Sequence, residues 1–452
     1  MLLGNILFIL APVAAATSNH RSTIDTDVVI VGGGTSGAYA AVKLSQDYGR
    51  KGGHADTWYD PMTKKPFNYG IEVFSNISAS VNYFARFNIS TKAPESRSQS
   101  LHADFRDGAL VNQTFDSTEA SAAMDRYREQ WKRFESIMLP AKPYFPVGDA
   151  IPADLLLSWR EVARKYNFEA AGPTIWSTTG VDLNTALMID VWKAYYPGRN
   201  GFVAASGDNR EIYSHVEKLL GEKVLYETEI VSTSRSNSGV QLFVQHNGHL
   251  STIKAKRLLI TIGPETMEQS VFDLTDDEAA IFSSTTGNRY YTGLISHPSL
   301  PPATILNTVP EAAVNSSAYP TTPYLASFLY KGLSSSGFVY RFLVIASKET
   351  GFEDAKNLVS GSLQQLLKAK TIPIGNSSLA DIDRLQFKAF KDHGILYRRW
   401  SAYQLRSGIV NRANSLQGLK STWYTGAFWM NNNAAMLWNT TDGILLQMNI
   451  GF

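Results

Sequence analysis

Asp27-Val28-Val29-Ile30-Val31-Gly32-Gly33-Gly34-Thr35-Ser36-Gly37 is the stretch of this 452-residue chain from which the fold is read. Four consecutive β-branched residues form a short apolar run, the pattern of a strand buried on both faces. The run ends at a glycine, and a helix-forming stretch from Ala38 to Tyr48 follows the last one. Gly32, Gly34 and Gly37 carry the G-x-G-x-x-G spacing of a dinucleotide-binding βαβ start. The first glycine permits the tight turn, the second lets the backbone approach a pyrophosphate, and the third lets helix and sheet pack closely. The helix N-terminus then offers free N–H groups and the positive dipole end to the phosphates.

Working outward, the chain is 44% hydrophobic and 18% charged, enough to bury two domains. Net charge is +2 with no long run of one sign, so nothing points to nucleic acid. The eight histidines are scattered without i, i+4 pairing, and there is no cysteine, so no metal site, disulfide or thiolate nucleophile is expected. Leu2 to Ala16 is an apolar run ending in Ala14-Ala15-Ala16. It is too short for a membrane span and reads as a signal peptide, residues 1–16, cleaved after Ala16. Six Asn-x-Ser/Thr sequons, at Asn76, Asn88, Asn112, Asn315, Asn376 and Asn439, fit glycosylation of a protein in the secretory route.

Residues 75 to 204 are mostly amphipathic helix, with Ser117 to Ile137 at helical spacing and a helix from Pro152 to Lys165. From Val224 the pattern turns to strands, with Asn247-Gly248 as a hairpin signal. A last apolar strand, Arg257 to Ile262, stops at Gly263-Pro264. Residues 275 to 400 mix helices with aromatic-rich strands, and the chain closes with a strand at Ser421 to Tyr424 and a helix from Asn433.

The next motif narrows the class. Lys51-Gly52-Gly53-His54-Ala55-Asp56-Thr57 resembles the paired-glycine segment after the first βαβ in the amine-oxidase-like FAD superfamily. Phe67-Asn68-Tyr69-Gly70-Ile71-Glu72-Val73-Phe74 resembles the loop that passes the isoalloxazine there, and Tyr424-Thr425-Gly426-Ala427 resembles the last FAD motif. The resemblance implies FAD as cofactor, held by Gly32, Gly34, Gly37, Gly52, Gly53, His54, Gly70, Thr425 and Gly426, with the Ile230 backbone at adenine. It implies an α/β fold: a discontinuous Rossmann-like FAD-binding domain (25–75, 205–275 and 400–452) and a second α+β substrate domain (76–204 and 276–399).

Gly-Gly-His in place of Gly-Gly-Arg, Tyr83-Phe84-Ala85-Arg86-Phe87-Asn88, Lys391-Asp392-His393-Gly394, Leu416-Gln417-Gly418 and Tyr424 to Trp429 resemble, within that superfamily, the fungal β-cyclopiazonate dehydrogenase type. That resemblance implies an exported enzyme of secondary metabolism acting on a small hydrophobic substrate, an alkaloid precursor or a prenylated polyketide such as a diterpenoid pyrone, by an oxidation that can close a ring. No second G-x-G-x-x-G follows a strand, so no nicotinamide cofactor is expected. His393, in what reads as a Lys-Asp-His-Gly turn, is the candidate base or hydrogen-bond donor. A general amine oxidase, and a degenerate fold that no longer holds FAD, are the competing readings. The aromatics Tyr324, Phe328, Tyr330, Phe338, Tyr340 and Phe342 alternate along strands and read as core rather than as a site.

One departure stands out. Only 14 residues separate Gly37 from Gly52, and no Val/Ile-rich run lies between them. The second Rossmann strand, with its acidic ribose ligand, has no place there, and the flank of the first strand is expected to lie open.

Overall fold

A computed structural model describes residues 7–9, 22–44, 57–95, 100–112, 116–138, 145–198, 201–313, 318–372, 383–430 and 432–448. The apolar run falls in β2 (Ser22–Val31), and Val28 to Val31 are each fully buried. The cause is its place mid-sheet. β2 pairs in parallel with His249–Ile260, from Ser22↔Ser251 to Val31↔Ile260. Thr422–Tyr424 joins the far end of that partner, also in parallel. Three segments far apart in sequence therefore build one sheet, as the discontinuous reading expects.

Thr228–Ser236, Gly239–His246 and His249–Ile260 form an antiparallel meander with alternating burial, the signature of a sheet with one wet face. The Asn247-Gly248 turn has φ of +48° and +78°, the positive pair that a two-residue hairpin requires. Behind the meander lies a fully buried ion pair. The Arg235 guanidinium donates to Glu278 at 2.7 and 3.0 Å, and both side chains are wholly inaccessible. Arg235 also donates to the Tyr424 hydroxyl at 3.1 Å, so the pair ties the meander, the helix Asp276–Ser283 and the strand Thr422–Tyr424 together.

The flank of β2 is not open. β1 (Leu7–Ile9) pairs antiparallel with it, Leu7↔Val31 to Ile9↔Val29, and on its other side with Val224–Leu225. A piece of the segment that reads as a leader therefore stands where the second Rossmann strand would be; the rest of residues 1–16 lies outside the described residues. Among the described residues no strand lies between α1 (Thr35–Val42) and Thr57.

A second, six-stranded sheet runs Gln386–Arg399, Thr286–Ser296, Gly337–Ala346, Tyr324–Ser334, Thr304–Asn307, Ser100–Ala103. The alternating aromatics are core, as read: Phe328, Tyr340 and Phe342 pack under the helix Phe352–Lys368. The opposite face of the same strands looks into a cavity. The helix expected from Pro152 to Lys165 is two, Ala153–Leu156 and Trp159–Lys165. Ser158 breaks it because its hydroxyl caps the second helix in a reciprocal pair with Glu161. Among the described residues no helix is long and apolar enough to cross a membrane.

Candidate active site

The first sheet, the second sheet and two helix N-termini enclose a cavity of about 1950 Å³. Ordinary small-ligand pockets hold roughly 300–1,000 Å³, so this one has room for a dinucleotide and a substrate together.

The glycine loop forms one end, and its three glycines do different things. Gly32 has φ +107°, and a Cβ there would sit 2.5 Å from Thr261 Oγ1. At Gly37 a Cβ would fall 2.0 Å from the Gly32 carbonyl oxygen, an impossible contact. These two are needed for the turn itself. Gly34 differs: it lines the cavity and a Cβ would meet no heavy atom within 4 Å. Its bareness keeps space clear for something else. Thr261, which the sequence did not single out, locks the loop by donating to the Val31 and Gly32 carbonyls at 3.0 and 3.2 Å.

α1 starts at Gly34 with no acidic residue in its first turn, so nothing opposes an anion at its N-terminus. The long helix Ala434–Gln447 packs against α1: Trp438 Nε1 donates to the Thr35 carbonyl at 3.2 Å, and Tyr39 donates to Asp442 at 2.8 Å. This brings a second N-terminus to the same cavity, again without an acidic first turn. Just before it, the Asn432 amide lines the cavity with Nδ2 and Oδ1 both buried and lacking a partner among the described residues. A buried amide in that state costs stability unless a ligand satisfies it. Two helix N-termini, a cleared glycine loop and an unmatched donor–acceptor amide suit a flavin dinucleotide, with diphosphate at the glycine loop.

The expected contacts divide accordingly. Gly32, Gly34 and Gly70 line the cavity. Thr425 and Gly426 stand behind its wall: the Thr425 N–H donates to the Ile260 carbonyl, and a Cβ on Gly426 would lie 2.9 Å from the Thr261 carbonyl. At that end the lining comes from Asn432, Asn433 and Ala434. An Asn N-cap before a helix was the available signal, since Asn433 accepts from the Met436 N–H at 3.2 Å. The Ile230 side chain is buried in the core of the first sheet and is not among the lining residues. Gly52, Gly53 and His54 lie outside the described residues. Of the sequons, Asn76, Asn88, Asn112 and Asn439 are exposed, while Asn315 and Asn376 lie outside the described residues. Asn439 sits within the last helix, with Thr441 of its sequon fully buried and bonded to the Leu437 carbonyl.

His393 lines the cavity, but not from a turn. Lys391-Asp392-His393-Gly394 lies inside the strand Gln386–Arg399, where the register jumps from Tyr291↔Asp392 to Arg289↔Ile395. The extra residues form a bulge, and Gly394 takes φ +71° within it. Asp392 anchors the bulge, accepting from Arg289 Nε at 3.0 Å and from the Gly394 N–H at 2.8 Å. The second sheet also supplies the charged part of the wall. Glu72, from the loop beside Gly70, accepts from Lys331 Nζ at 2.9 Å and lies 3.6 Å from the Arg341 guanidinium. Tyr397, half-buried beside them, has its hydroxyl pushed well above its usual range by desolvation.

Fold and site together suit a flavin-dependent enzyme. The solved structure of a fatty acid isomerase from P. acnes superposes with a TM-score of 0.69 at 12% identity, covering 96% of this chain and all of that one. Putrescine oxidase bound to putrescine gives 0.59 at 13% identity, covering 94% and 99%. In sequence, the FAD-dependent oxidoreductase dpchF of Colletotrichum higginsianum is 30% identical across 97% of this chain and 95% of its own length. Beta-cyclopiazonate dehydrogenase of Aspergillus flavus is 27% identical across 95% and 94%. The chain belongs to this family of fungal FAD-dependent oxidoreductases, and FAD is its cofactor. No family model matches the chain.

Proposed function

We propose that the protein oxidises a hydrophobic intermediate of fungal secondary metabolism, an alkaloid precursor or a prenylated polyketide, in a step that ends in ring closure. The observation that carries this reading is end-to-end similarity to beta-cyclopiazonate dehydrogenase and dpchF, joined to a cavity large enough for cofactor and bulky substrate. FAD, when bound, supplies the two-electron acceptor. The protein binds and orients: α1 and the glycine loop would hold the diphosphate, Asn432 would pair with a polar edge of the bound molecule, and Leu343 and Tyr290 would offer apolar surface to the substrate. His393, held by the anchored bulge, takes the substrate proton as base. Electrons leave to dioxygen or another acceptor.

The holoprotein should absorb at about 375 and 450 nm, as flavins do. Under anaerobic conditions, β-cyclopiazonate or a prenylated pyrone should bleach the longer band while putrescine leaves it intact. Bleaching by putrescine alone would show a general amine oxidase instead. A protein that stays colourless in excess FAD would show a fold that has lost its cofactor.

We also propose that the protein enters the secretory pathway, on the strength of the apolar N-terminal run and the exposed sequons. Expression in a eukaryotic secretory host should give a product beginning near Thr17 that loses mass on glycosidase treatment. An unglycosylated product that keeps Met1 would overturn this.

A further inference from the structure

The cavity wall contributed by the second sheet carries an unbalanced positive charge. On the strand Gly337–Ala346, Arg341 and Leu343 face the cavity while Tyr340 and Phe342 face the core. Arg341 is only 8% exposed, a burial that an arginine rarely tolerates without full pairing. Among the described residues, the acid that reaches it is Glu72, at 3.6 Å. Glu72 is also engaged by Lys331 at 2.9 Å, so two cations share one carboxylate. Acids on neighbouring elements are held by cations of their own: Asp392 by Arg289, Glu265 by Arg398, Asp182 by Arg399. Arg341 Nε is buried and has no hydrogen-bond partner among the described residues.

A guanidinium in this state is an incomplete ion pair, 3.6 Å from its shared carboxylate and with one N–H unmatched among the described residues. Removing a buried donor from water without a partner is costly, and an anionic oxygen placed there repays it by a charge-assisted bond. The diphosphate does not meet this need, because the features that suit it belong to the first sheet and α1.

We propose that Arg341 is the specificity-determining anchor for the substrate, binding an anionic oxygen, carboxylate or enolate, on an otherwise apolar molecule. Leu343 and Tyr290, which line the same cavity, take the apolar part. The enzyme therefore selects hydrophobic acids over neutral or cationic molecules of the same shape. This rests on the FAD-oxidoreductase reading of the same cavity.

The test uses the FAD-loaded enzyme and two probes of one shape, decanoate and decanamide, titrated by calorimetry and by perturbation of the flavin spectrum. Decanoate should bind the wild type at least about tenfold more tightly than decanamide, the discrimination expected of one charge-assisted bond. Arg341→Gln should weaken decanoate by about ten- to a hundredfold, leave decanamide unchanged, and keep its flavin. Arg341→Lys, which keeps the charge but loses the planar fork, should restore part of the preference for the acid. Equal binding of acid and amide by the wild type overturns the proposal, and that comparison stands even if Arg341→Gln fails to fold. Loss of flavin from a folded Arg341→Gln also overturns it, by giving the residue to the cofactor. A wild-type chain that takes up no FAD instead overturns the underlying reading, and calorimetry with decanoate still reports on Arg341 there.

Discussion

Gly34→Val is expected to yield a folded, colourless protein. The backbone at this position is extended, with φ −72° and ψ −174°, so a β-branched residue fits without strain. Its Cβ would meet no protein atom within 4 Å, and apo stability should change by less than about 0.5 kcal/mol, as at an unstrained surface site. The added side chain would project into the space where the diphosphate must approach the N–H groups of α1. Losing two charge-assisted bonds of about 1.5–3 kcal/mol each weakens FAD by two to four orders of magnitude. Wild-type protein should gain thermal stability with added FAD, in proportion to the logarithm of ligand over Kd, and the variant should not. Absorbance of the purified protein and circular-dichroism melting read the two parts separately. A full flavin complement in the variant would mean that the diphosphate lies elsewhere. Gly37→Ala is the contrasting case: its methyl would fall 2.0 Å from a backbone oxygen, so fold and flavin should fail together.

Glu278→Ala should destabilise the protein by about 3–5 kcal/mol, because it strands the Arg235 guanidinium at full burial. Removing both charges should hurt much less: Arg235→Met with Glu278→Leu restores an apolar core of similar volume and is expected near neutral. The comparison is by urea unfolding, and a single variant within 1 kcal/mol of wild type, roughly the value of an exposed pair, would contradict the burial argument. The pair also sets an acid limit. Burial opposes ionisation of Glu278, but hydrogen bonds from Arg235 and Tyr424 outweigh it and hold its carboxyl below the usual range. A group depressed on folding contributes stability that is complete above its unfolded value, about 4.3. That contribution falls away as pH drops through the lower, folded value. Wild type should therefore lose stability below about pH 4 more steeply than the doubly apolar variant.

What the sequence made legible was local. Val28 to Val31 running into Gly32 announced a buried parallel strand and its turn, since both signals lie within a dozen residues. Asn247-Gly248 announced its hairpin for the same reason. The alternating aromatics read as core because period-two patterning reports which face is buried, not what lies opposite. The charged wall was not legible: Glu72 lies more than 250 residues before Lys331 and Arg341, and the three meet only when its loop is laid against the second sheet. The bulge at His393 was misread as a turn, because Asp-His-Gly has turn chemistry and only pairing with Thr286–Ser296 reveals a strand. Asn432 was passed over because an asparagine in a polar run says nothing of burial until a cavity is drawn around it.

The strand Leu7–Ile9 would give removal of a leader a structural cost. It sits between β2 and Val224–Leu225, so a peptidase cutting after Ala16 would withdraw a strand from the finished sheet. The mature chain would then carry a bare, fully apolar flank on β2, the kind of edge that recruits strands from other molecules. If the leader is cleaved, peptidase and sheet would compete for one stretch of chain, and the order in which they reached it would set the outcome. Cleavage before folding would hand the vacant edge to whatever replaces it, and folding before cleavage would stitch the N-terminal run into the enzyme's own architecture.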